Sequence, residues 1–247
     1  MALSFAATRA VALLATGGAI LSILGSPASA RAQVRCPVPE AGSPALGYLE
    51  PALRLAWIDA HLSRAEKSAR LWTFGWGGGI VAAGIGSLVA VPFVAKGDRV
   101  DWYTGAVSAG VGVAAFVIAP PALLHDAPAL RAEIARRRSD AAAAANAAAA
   151  AGAGAANADT DVCPLLAAAE ARLVHDARDE ERQGRWYVHV GNLVFNAGLG
   201  LFLGLGYHHW GAGVVNALAG AAVGEAIIFT RPTATIDDLG DYLRGAP

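Results

Sequence analysis

The chain reads as an all-α integral membrane protein: a four-helix bundle of two tandem transmembrane hairpins, with amphipathic helical extensions outside the bilayer. Three observations predict this. Four apolar stretches, Trp72 to Val94, Trp102 to Leu124, Trp186 to Tyr207 and Gly211 to Phe229, each have the length of about 20 residues that a helix needs to cross hydrocarbon. Only 16% of residues are charged and the mean hydropathy is positive. Gly recurs inside the apolar runs, as it does in lipid-embedded helices.

Residues 1–32 are expected to form a secretory signal. Arg9 supplies the basic start, Val11 to Leu24 the apolar run, and small residues around Ala28-Ser29-Ala30 or Ala30-Arg31-Ala32 the cleavage site. The apolar run is shorter than a comfortable span, and an uncleaved anchor is the alternative. Residues 33–71 follow as an extracytoplasmic segment and helix, in which Leu46, Leu49, Leu53, Trp57 and Ala60 recur at helical spacing. Residues 72–124 make the first transmembrane hairpin. Residues 125–185 make extracytoplasmic helices joined through the Ala-rich linker 141–158; Asp161 is the expected N-cap of the second of these helices. Residues 186–230 make the second hairpin and residues 231–247 the C-terminal tail.

One unit is used twice in this reading. Cys36-Pro37 and Cys163-Pro164 each open a polar helical segment, an aromatic pair marks entry to a span, and Pro121 and Pro232 each stand five residues before an Asp. Two hairpins with the same orientation form a parallel repeat. The two cysteines, an even count in an exported chain, predict a Cys36–Cys163 disulfide between the repeats. Two unpaired thiols are the alternative.

Orientation signals disagree. Export by a signal places the long polar segments outside the cytoplasm, yet Arg64, Lys67, Arg70, Arg131, Arg136, Arg137 and Arg138 lie on that side, against Lys96 and Arg99 in an inner turn. The signal takes precedence because charge counts lose force in loops near about 60 residues, the size of the central region. The expected location is therefore the bacterial inner membrane, with the polar segments periplasmic.

An ionisable group inside a span costs about 2.5–3.5 kcal/mol to insert, so it marks a candidate site. Glu225 is such a group, and His189, Asn192 and Asn196 share one face of the preceding span at a depth where they can meet it. Two readings follow: a proton-linked polar site, or an interhelical hydrogen bond that fixes packing. Gly75 and Gly79, Gly105 and Ala109, Gly200 and Gly204, and Gly220 and Gly224 predict close helix approach. Trp72, Trp102, Trp186, Tyr187, Tyr207 and Trp210 fit an interfacial belt.

The remaining signals exclude more than they suggest. A net charge of -1 without a basic face argues against nucleic acid. No catalytic set, no nucleotide loop and no metal-ligand set is present; His208-His209 reads as a turn, and His61, His125 and His175 carry no role. No cofactor is expected. The segment from Arg185 to Asn192, with Gly204-Leu205-Gly206 and Gly224 to Thr230, resembles uncharacterised small four-span membrane proteins of high-GC Gram-negative bacteria. That resemblance rests mainly on the second hairpin and implies no activity; it adds interest only to His189, Asn192 and Glu225. The expected function is a non-enzymatic accessory or scaffold protein of the envelope, whose partners are the lipid bilayer and a membrane or envelope protein, or a second copy. The alternative is a small transporter or proton-linked permease component acting through Glu225, His189 and Asn192.

Overall fold

The computed structural model describes residues 35–151 and 162–246. The expected signal, the Asp161 cap and the latter part of the Ala-rich linker lie outside them. The described residues form seven α-helices and short 3-10 turns, with no strand among them: α1 Pro51–Ala90, α2 Arg99–Ile118, α3 Leu123–Ala150, α4 Val162–Gln183, α5 Trp186–Tyr207, α6 Trp210–Phe229 and α7 Ala234–Arg244. Four stretches are helical, long and apolar enough to cross a membrane.

Helix α1 changes character along its length. Pro51 sits at its start, where a missing N–H costs nothing. Beyond Pro51 its buried positions, Arg54, Leu55, Ile58, Leu62, Ala65, Glu66 and Ala69, follow helical spacing, and none lies beyond Ala69. The same pattern shifts onto the buried positions of α4 by a constant 111 residues, from Arg54 onto Leu165 through Ala69 onto Glu180. Both stripes meet in one core with α3 and α7, where Leu46, Ile58, Leu62, Leu130, Leu166 and Leu173 are almost fully enclosed. Each such side chain contributes about 1.5–3 kcal/mol by leaving water.

This core, the head, draws on both halves of the chain. α1 packs along α3 and α4, and α4 packs along α7. A disulfide joins Cys36 to Cys163 with Cα atoms 5.2 Å apart, tying the chain ahead of α1 to the start of α4. Away from the head, α1 pairs with α2 and α5 with α6, whereas α2 makes only small contacts with α5 and α6.

Four local features depart from expectation. Leu53 and Ala60 of the expected first stripe are exposed, and the face that α1 buries runs through Arg54, Leu55, Ile58 and Leu62 instead. The second apolar helix ends at Ile118, not Leu124, because Pro120-Pro121 removes donors and pushes Ala119 out of helical geometry. Leu123 starts α3 and is buried in the head. The polar lead-in to the third apolar helix is interrupted at Gly184 and Arg185, whereas α1 runs through unbroken. Finally, Gly75 and Gly79 face open space; the close approach of α1 to α2 falls instead at Gly84, where a Cβ would lie 2.9 Å from Ala109 Cβ.

Candidate functional site

Helix α5 places His189, Asn192 and Asn196 on one face because they are spaced three and four residues apart. The turn at His208, held at φ 61°, and His209, whose N–H donates to the Leu203 carbonyl at 3.1 Å, folds α6 back along that face. His189 Nδ1 then lies 2.5 Å from Glu225 Oε2. Asn192 Nδ2 donates to Glu225 Oε1 at 2.9 Å and to the Ala221 carbonyl at 3.0 Å. Asn196 does not reach Glu225. It donates to the carbonyl and side-chain oxygens of Asn192, at 2.9 and 2.8 Å, and so orients the amide that does.

Gly220 and Gly224 make this contact possible. A Cβ on either would collide with the amide oxygen of Asn196 or Asn192. Both carboxylate oxygens of Glu225 are therefore satisfied by the neighbouring helix, and the side chains of His189 and Glu225 each remain about a quarter exposed, 25% and 24%. Chemically, the pair can hold one proton between an imidazole and a carboxylate, and the asparagines fix its geometry.

A second polar cluster lies where α3 leaves the second apolar helix and α4 approaches the third. Asp126, in the first turn of α3, faces His175 of α4, with 2.8 Å between Asp126 Oδ2 and His175 Nδ1. Asp176 is 1% exposed, and neither of its carboxylate oxygens meets a hydrogen-bond donor among the described residues. Burial, and then the adjacent Asp126 carboxylate, push Asp176 up to about 8. Nearby carboxylates are already occupied: Asp179 accepts from the Ala122 N–H and Gln183, and Glu180 accepts from the Thr235 N–H.

This cluster escaped sequence reasoning. Asp126 and His175 stand 49 residues apart, and the Asp pair has no motif spacing. The available signal was that the stripe of α4, apolar from Leu165 to Leu173, continues through the acidic Asp176 and Glu180.

A third trio, Asp98, Asp101 and His209, gathers at the opposite end of the apolar helices, where His209 Nδ1 lies 2.9 Å from Asp101 Oδ1. Asp98 there is exposed. Comparison of the chain with protein-family models, with curated proteins and with solved structures gives no match.

Proposed function

We propose that this protein is a non-enzymatic component of a bacterial envelope, inserted in the inner membrane as two transmembrane hairpins and carrying a periplasmic helical head that binds another envelope protein or a second copy. The observation that carries this reading is the Glu225 carboxylate, whose two oxygens are both taken up by α5. A group so fully partnered serves as glue between α5 and α6. Polar residues do not continue as a stripe through α1, α2 and α6, as an aqueous path would need.

Other features support the same reading. The constant offset between the buried positions of α1 and α4, with Pro121 and Pro232 at that same offset, supports duplication of a helix–hairpin–helix unit. The disulfide supports an oxidising compartment for the head. Large apolar side chains such as Phe74, Val117, Ile118, Val194 and Leu218 point outward from the apolar helices, where lipid would cover them.

A second reading, a proton-linked permease component, draws on the 2.5 Å separation of His189 and Glu225. Glu225→Gln separates the two. A scaffold should accumulate, fold and retain its partners with little change, because Gln keeps a hydrogen bond to Asn192. Loss of a pH-dependent flux in vesicles, with normal accumulation, would instead establish transport. A periplasm-active reporter fused after Asp140 should be active; an inactive fusion would invert the orientation.

A further inference from the structure

We propose that Asp126, His175 and Asp176 bind one divalent first-row transition-metal ion, Zn²⁺ or Mn²⁺, which ties α3 to α4 at the base of the head. One ligand atom from each residue lies within 4.8 Å of the others. What marks the cluster out is Asp176. Its side chain is completely enclosed and faces the other two residues, yet both oxygens lack a donor. A buried carboxylate without a partner is strongly disfavoured, so either a proton shared with Asp126 or a cation must neutralise it, and a cation also gives both oxygens a partner. Among the described residues no arginine or lysine is paired with Asp126 or Asp176; the nearby Arg182 is engaged with Asp179, and Arg231 spends both terminal nitrogens on Gln183 and the Glu180 carbonyl, leaving its Nε without a partner.

The register of the core sharpens the point. At the position of α1 that matches Asp176 stands Ala65, buried in the same core. The head therefore closes around a methyl group in one half and a carboxylate in the other. Packing alone does not require the acid.

Geometry fits an ion. Ligand atoms about 2.1 Å from a metal stand about 3.0–3.4 Å from one another in octahedral or tetrahedral arrangements. His175 Nδ1 lies 2.8 Å from Asp126 Oδ2 and 4.0 Å from Asp176 Oδ1. These separations bracket the required value, and the half-exposed His175 ring can move to equalise them. The imidazole nitrogen favours a borderline ion over Mg²⁺ or Ca²⁺, which prefer all-oxygen shells. The exposed face of His175 is the way in, and water would complete the coordination.

The test uses the full chain in detergent, stripped with a chelator and then titrated with Zn²⁺ and, separately, Mn²⁺. One equivalent should bind, with millimolar Mg²⁺ or Ca²⁺ failing to displace it. For Mn²⁺, the electron spin resonance spectrum should show a coupled nitrogen. Asp176→Asn should weaken binding by at least about tenfold, and His175→Gln should do likewise while removing the nitrogen coupling. Asp101→Asn, in the trio at the other end, should leave affinity unchanged. Since Asp176 is buried and His175 is on the surface, the His175 variant keeps the test informative should Asp176→Asn misfold. Binding that survives both head variants, binding lost with Asp101→Asn, or no binding at all would overturn the proposal; in the last case an infrared band of a protonated carboxyl that vanishes in Asp176→Asn would show that a shared proton holds the pair.

Discussion

Arg54 shows what this head demands of single side chains. It is 1% exposed, and its guanidinium donates to Glu170, to the Tyr242 hydroxyl at 2.9 Å and to the Pro37 carbonyl at 3.3 Å. A buried charge persists only when partnered this fully. Glu66 is a second case. Burial disfavours its charge, but hydrogen bonds from Arg131 and Arg70 outweigh that and hold its carboxyl below the ordinary Glu value. A carboxyl with a lowered folded pKa stabilises the fold above its unfolded value of 4.5, and that stability is lost as the pH falls through the lower folded value. The unfolding temperature of the wild type should therefore fall as the pH drops below the ordinary Glu value, and Glu66→Gln should flatten that limb. An identical acid limb in the variant would show that the Glu66–Arg131 contact is energetically idle.

Among the helices, the contrast between Gly79 and Gly213 separates two uses of the same residue. A Cβ at Gly213 would lie 2.5 Å from the Gly200 carbonyl oxygen, so α5 and α6 must part to admit it. Nothing lies within 4 Å of a Cβ at Gly79. Gly213→Ala should cost about 1–3 kcal/mol of hairpin stability. Gly79→Ala should be neutral, or stabilising by up to about 1 kcal/mol through helix propensity. Unfolding of both variants in detergent checks this; equal effects would contradict the tight α5–α6 approach. Spacing of small residues thus identified the contact faces of α5, α6 and α2, where Gly105 and Ala109 face α1, and misplaced only the face of α1, which meets α2 at Gly84 and not at Gly75 and Gly79. A four-residue repeat says which residues share a face, not which face meets a neighbour.

Across the chain, the two halves are joined mainly through the head, since α2 touches α5 and α6 only lightly. The disulfide closes a separation of 127 residues and adds to that union. Loop closure of that order contributes at most about 4–5 kcal/mol, less where the unfolded chain is already restrained. Replacing both Cys36 and Cys163 by Ser should lower the unfolding temperature of the head and raise its proteolysis between α1 and α4, leaving the apolar helices in the membrane fraction. Unchanged proteolysis would mean that the core alone joins the halves.

Helicity, the four apolar stretches, the polar face of α5 and its meeting with Glu225 were legible in the residues themselves, because each depends on local periodicity or on a short hairpin whose turn sets the register. The pairing of the cysteines was legible from their number and position. The cluster of Asp126, His175 and Asp176 was not, and neither was the enclosure of Arg54. Both arise only when α1, α3, α4 and α7 close on one another, and burial, unlike periodicity, is a property of the neighbours that long-range packing brings.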